Sequence, residues 1–167
     1  MKLTKLNLGS GLDYRKGWIN VDNNEYVKKD LVWDLDIMPY PFKQNTFTEI
    51  YASMVLGHLT HPAEVLKELI RIAKDGCAIT IIVPHANSYA NKTSITHKVN
   101  FTEYSFEPEL IKQYGLSNNL FLREFRFIYK NKWKRYVPMK VKKLFNNMFD
   151  DLEFKFVVVK KERWEQN

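Results

Sequence analysis

At 167 residues the chain suits one compact domain spanning 1–167, long enough to bury roughly 70% of the surface its unfolded form exposes. An apolar content of 45% excludes a disordered chain, the longest apolar run is too short to cross a bilayer, and the lone Cys77 excludes an internal disulfide or a thiolate zinc site. The net charge of +7 is concentrated in segment 123–143, where Arg123, Arg126, Lys130, Lys132 and Lys134 alternate with Phe125, Phe127, Tyr129 and Trp133. That composition suits nucleic acid or anionic lipid head groups, or a face that is merely solvated.

In chain order, Lys5–Gly9 reads as a first strand ending in a glycine turn, Trp18–Asp22 as a second and Leu31–Leu35 as a third. Pro39 and Pro41 force an irregular connection, after which Glu49–Ser53 is a fourth strand. The spacing of Val65, Leu66, Leu69, Ile70 and Ala73 predicts a helix from Pro62 to Lys74, with acids early, bases late and Asp75-Gly76 as its stop. Cys77–Val83 is a continuous strand-forming run, which predicts a central strand buried on both faces. Ala86–Glu103 is polar and irregular, as lids and substrate-binding segments are. Ser105–Tyr114 is expected as a helix capped by Ser105 and closed by Gly115. Leu122–Tyr129 and Phe154–Val159 are the last strands, with Phe154, Phe156 and Val158 on one face. Between them Lys140–Asp150 is expected as a helix with the apolar stripe Val141, Leu144, Phe145, Met148 and Phe149, open to a partner copy. Strands alternating with helices imply an α/β fold with a mostly parallel sheet.

In such a sheet ligands bind beyond the carboxyl ends of the strands. The residues there are Gly9-Ser10-Gly11, Asp22, Asp34, Ser53-Met54 and Pro84-His85. Glycines let a backbone approach a ligand with no Cβ in the way, and an acid ending the second strand can accept both hydroxyls of a ribose. A dinucleotide is disfavoured: the turn lacks a third glycine, and Asp22 follows Gly9 by 13 residues rather than about 20. Only Leu12–Gly17 separates the turn from the second strand, so the usual first helix must be truncated. A pyrophosphate would lose its helix N-terminus, whereas a nucleoside without phosphates would lose less.

The series Leu6-Asn7-Leu8-Gly9-Ser10-Gly11, Gly17-Trp18-Ile19-Asn20-Val21-Asp22, Val32-Trp33-Asp34-Leu35, Phe47–Leu59 and Ile82-Val83-Pro84-His85 resembles the class I S-adenosylmethionine-dependent methyltransferases, of the short prokaryotic type-11-like subset. A His-x-x-x-Phe element, His97 to Phe101, belongs to the same likeness, which covers Lys5–Phe106 well and the rest loosely. The resemblance implies a Rossmann-like fold with an antiparallel C-terminal strand, a cofactor-binding half (1–85) and a substrate-side half (86–167). It also implies S-adenosyl-L-methionine as cofactor, with Gly9 and Gly11 against its methionine part and Asn7 and Ser10 as polar supports. Asp22 would hold the ribose and Asn23 cover the adenine. Asp34 would face the adenine amino group, with Leu35 on the ring. Ser53 and Met54 would lie beneath the sulfonium and His58 above it. Where a glutamate usually precedes that histidine, this chain has Gly57, so the turn supplies no acid.

Methyl transfer needs close approach and exclusion of water more than acid–base machinery, although a base assists when the acceptor is a hydroxyl or amine. His97, in the lid segment, and His85, after the central strand, are the catalytic candidates, and no metal-ligand spacing occurs. The expected acceptor is a small molecule or a glycan or lipid precursor. The alternatives are RNA methylation through the basic segment and a cofactor-binding module without catalysis. The expected protein is cytoplasmic, without a signal peptide or transmembrane span, and a monomer or homodimer.

Overall fold

The structure is a computed structural model and describes residues 4–160, so both ends of the expected 1–167 domain lie outside the described residues. Seven strands, β1 (Lys5–Leu8), β2 (Ile19–Asp22), β3 (Leu31–Val32), β4 (Phe47–Ser53), β5 (Ala73–Pro84), β6 (Leu120–Ile128) and β7 (Asp151–Val158), form one sheet in the order β3-β2-β1-β4-β5-β7-β6. β1 to β5 pair in parallel, and β7 runs antiparallel to both β5 and β6. The α/β expectation, mostly parallel with an antiparallel C-terminal strand, is met.

The β1–β2 crossover contains no helix. Its ten residues, 9–18, turn back through short contacts: Ser10 N–H donates to Val21 O at 3.0 Å and Asp13 N–H to Ser10 O at 2.8 Å. That is shorter than the dozen residues a parallel crossover usually takes, so the expected truncation is complete. Among the described residues four α-helices lie elsewhere: α1 (Pro62–Ile72), α2 (Tyr89–Thr93), α3 (Pro108–Gln113) and α4 (Met139–Lys142).

All of the core lies on one face of the sheet. From α1, Val65, Leu66, Leu69 and Ile72 are buried, each stabilising by about 1.5–3 kcal/mol relative to exposure. On the same side Phe106 meets Phe154 and Phe156 edge-on, with ring centroids 4.7 and 5.2 Å apart, and Ile111 of α3 joins the cluster. β5 is therefore not buried on both faces. Cys77, Ile79, Ile81 and Val83 are buried, while Thr80 and Ile82 between them are half-buried and Ala78 is exposed. The run was ambiguous because isoleucine and threonine suit a half-exposed strand as well as a buried one. The open face is polar instead, carrying the pairs Lys5–Glu49 at 2.7 Å and Lys155–Glu124 at 2.8 Å and a contact between Arg126 and Glu153.

Several boundaries differ from expectation. α1 stops at Ile72, because Ala73 already pairs with Phe47 and Gly76, at φ +73°, sits in the irregularity that follows. Ser105 does not cap α3. Its Oγ accepts from Thr102 N–H at 2.8 Å, and the helix starts at Pro108. β3 ends at Val32 rather than Leu35, since Asp34 Oδ1 accepts from Asp36 N–H in a turn. The helix expected over 140–150 shrinks to Met139–Lys142, and its stripe splits. Met148 and Phe149 are buried, whereas Leu144 and Phe145 are 78% and 60% exposed. Asn147 adopts φ +60°, a left-handed conformation asparagine tolerates and a helix does not.

Candidate active site

The carboxyl ends of β1, β2 and β4 open onto a cleft of about 620 Å³. Gly9 follows β1 at φ +61°, and a Cβ there would overlap the Val55 side chain, so both conformation and space demand glycine. Gly11, at φ +48°, needs glycine for conformation alone. Gly11 N–H donates to Asp22 Oδ2 at 2.7 Å, while Asp22 Oδ1 accepts from Asn24 N–H at 2.8 Å. The acid that ends β2 thus pins the glycine loop, and each of its oxygens keeps a lone pair for a ligand. Ser10 Oγ is buried at the cleft wall without a partner among the described residues.

Behind the cleft, Asn7 Nδ2 donates to Asp13 O at 2.6 Å and to Asn20 Oδ1 at 3.0 Å. Asn20, wholly buried, also accepts from Arg15 N–H at 2.8 Å and donates to Arg15 O and Asp30 Oδ2. This network stands where a crossover helix would otherwise hold the loop.

Every expected cofactor residue borders the cleft: Asn7, Gly9, Ser10, Gly11, Asp22, Asn23, Asp34, Leu35, Ser53, Met54 and His58. Met54 has φ +56°, strained for a residue with a side chain, and is held there by its N–H donating to Ile82 O at 2.8 Å. His58 ends a one-turn 3-10 helix, Leu56–His58, at the rim, with Nδ1 within 3.1 Å of Thr96 Oγ1 and 3.3 Å of Thr96 O.

The two catalytic candidates sit elsewhere. His97 lies behind His58, ring centroids 4.4 Å apart, with Nδ1 buried and unpartnered among the described residues. Burial, then the adjacent His58, holds its imidazole below the usual pKa. Gly57 explains its own departure from the family pattern: a Cβ would stand 3.3 Å from His97 Cδ2, and its carbonyl accepts from Lys98 N–H at 2.8 Å. His85 is buried, its Nδ1 accepting from Asn87 N–H at 3.0 Å and Nε2 facing Glu103 Oε2 at 3.2 Å, with Phe149 against the ring. Neither borders the cleft.

Sequence reading missed Asp36 and Lys98 in the lining. Asp36 accepts from Thr60 N–H and Oγ1–H, both at 2.8 Å, and from Lys98 Nζ at 3.2 Å. Burial would raise its pKa, but these donors outweigh it and hold the carboxyl below the ordinary value. The signals were present in Asp34-Leu35-Asp36, which places two acids on one side of a turn, and in Lys98 beside His97.

Residues 7–81 match the family model described as a methyltransferase domain. No curated protein matches the chain. Solved structures share its fold. A chain in the complex between the Haloferax volcanii Trm112 methyltransferase activator and a methyltransferase aligns at TM-score 0.67 and 17% identity, over 95% of this chain and 83% of that one. A SAM-dependent methyltransferase from Archaeoglobus fulgidus aligns at TM-score 0.63 and 17% identity, over 92% and 85%. The cyclase SpnF aligns at TM-score 0.59 and 10% identity, over 93% and 75%.

Proposed function

We propose that this chain is an S-adenosylmethionine-dependent class I methyltransferase that methylates a small-molecule or glycan/lipid-precursor acceptor. The observation that carries the reading is the glycine loop pinned by Asp22, with Gly11 N–H at 2.7 Å from Oδ2. The residues present fit the cofactor: Gly9 keeps the loop free of a Cβ, Ser10 Oγ is an unused buried polar group, and the cleft has the size of a small-ligand site. When bound, S-adenosylmethionine supplies an electrophilic methyl group, which passes to an acceptor nucleophile as the sulfonium becomes a neutral thioether.

In this reading Asp22 holds the ribose hydroxyls, Asn23 covers the adenine and Asp34 faces its amino group, with Leu35 on the ring. Ser53 and Met54 lie under the reacting centre. Among the four histidines, His58 is the one at the cleft, so it takes the base role for a hydroxyl or amine acceptor. With Nδ1–H donating to Thr96, its Nε2 is the nitrogen left to accept the acceptor's proton. His97 then serves as a positioning residue behind it, and His85 as a buried anchor of the 85–103 segment. Lys98 and Thr60 keep Asp36 ionised at the rim.

The test is calorimetric titration with S-adenosylhomocysteine. The wild type binds, and Asp22→Ala weakens binding by about 10- to 100-fold, the loss expected for hydrogen bonds to a charged group. Absence of wild-type binding overturns the reading. Because the same fold occurs in the cyclase SpnF, transfer is measured separately, as label passing from methyl-labelled S-adenosylmethionine into lipid extracts against aqueous metabolite pools.

A further inference from the structure

We propose that segment 129–147, which joins β6 to β7, is a docking surface for an anionic lipid bilayer. Its position follows from strand register. Ile128 at the end of β6 and Pro84 at the end of β5 both stand opposite Asp151, so the segment lies on the same carboxyl rim as the cleft. It is fastened there by Asn147 N–H donating to Asn87 O at 2.8 Å and His85 N–H to Asp150 O at 3.0 Å.

The segment holds seven Lys and Arg residues and no Asp or Glu. Two of the lysines turn inward: buried Lys134 donates to Asp150 at 2.9 Å and buried Lys142 to the Tyr129 hydroxyl at 2.9 Å. These inward contacts tether the segment and leave Lys132, Arg135 and Lys140 without an acidic partner among the described residues. Between the charges, Trp133, Tyr136, Met139, Leu144 and Phe145 are all exposed. Cations attract anionic head groups, while tryptophan and tyrosine favour the interface and leucine and phenylalanine favour the acyl boundary. An RNA would use the cations and aromatics but gain nothing from exposed Met139 and Leu144, so the observations favour lipid. The inference deepens the reading of a lipid-linked acceptor, since docking by this rim would present the cleft to the bilayer. Docking itself rests on none of the chemistry.

Co-sedimentation of the full chain with vesicles tests it, using phosphatidylcholine alone and phosphatidylcholine mixed with phosphatidylglycerol. The wild type partitions onto the anionic vesicles. Each basic residue near the surface contributes about five-fold, so K132Q/R135Q/K140Q weakens partition about 100-fold. L144S/F145S removes the part that survives high salt. Equal sedimentation of wild type and the triple variant, absence of a preference for anionic vesicles, or binding of single-stranded RNA without vesicle binding each overturns the proposal. S-adenosylhomocysteine titration of the same samples reads the cleft separately: vesicle binding without cofactor binding leaves docking standing and removes the methyltransferase reading.

Discussion

Asn20 illustrates how much one side chain carries where a helix has been lost. Its carboxamide oxygen accepts from Arg15 N–H and Asn7 Nδ2, and its two N–H groups are shared among Arg15 O, Trp18 O and Asp30 Oδ2, with no exposure to water. Such a network stabilises only when complete, because each group left unpaired in the interior costs about 1–3 kcal/mol. Asn20→Ala strands the Arg15 amide and frees the loop that Asp22 pins. We expect a loss of about 2–4 kcal/mol in urea unfolding, together with weaker S-adenosylhomocysteine binding at temperatures where the variant remains folded. A variant that lost binding without stability would place Asn20 in direct contact with the ligand instead. Gly57 is the complementary case. It contributes space, and the side chain that uses it is His97.

At the level of elements, the segment from Ala86 to Glu103 reads as irregular in sequence, yet the structure fastens it by pieces. Ser88 Oγ caps α2 by accepting from Asn91 N–H at 3.1 Å, Asn91 Nδ2 donates to Asn100 Oδ1 at 2.7 Å, and Lys98 Nζ reaches Thr60 Oγ1 at 2.8 Å. The glycine loop, the acids after β2 and β3 and the α1 stripe were legible because each is a local pattern with one physical reading. The 86–103 segment was not, since its outside partners Thr60 and His58 lie 38 residues away, and polar side chains announce no partner. The helix expected over 140–150 failed for a related reason: its apolar spacing was genuine, but Met148 and Phe149 are drawn to the core by β7 while Leu144 and Phe145 are not. Burial of His97 against His58 predicts a pH dependence. Its imidazole is held below the ordinary 6.5, so between that depressed value and 6.5 the unfolded chain binds a proton the folded one does not. Stability therefore rises with pH through this window and is lost as pH falls below 6.5, levelling off beneath the folded value. The urea midpoint of the wild type should fall more between about pH 7.5 and about pH 5.5 than that of His97→Gln. Parallel slopes would show that another group titrates.

Taken whole, the described molecule is a two-layer structure, a sheet with helices against one face. Sheets of this parallel kind are usually covered on both sides, and their central strands are then apolar throughout. Here the strands alternate, and the open face carries ion pairs, the guanidinium of Arg15 lying 3.4 Å over the ring of Tyr51, and a half-buried Ile82. Exposed pairs of this type contribute little stability, so their value is in keeping an uncovered sheet soluble. The cleft depends only on strand ends and the loops beyond them, which is why it survives the loss of a layer. The two faces of β5 give a direct test, because neighbouring isoleucines point to opposite sides. Ile81→Ala removes a fully buried side chain from the core and should cost about 2–5 kcal/mol by urea unfolding. Ile82→Ala sits on the open face and should cost less than about 1.5 kcal/mol, with the burial it loses being partial. Equal costs would mean that the face is covered in solution, and a concentration-dependent midpoint for Ile82→Ala would identify the cover as a second copy of the chain.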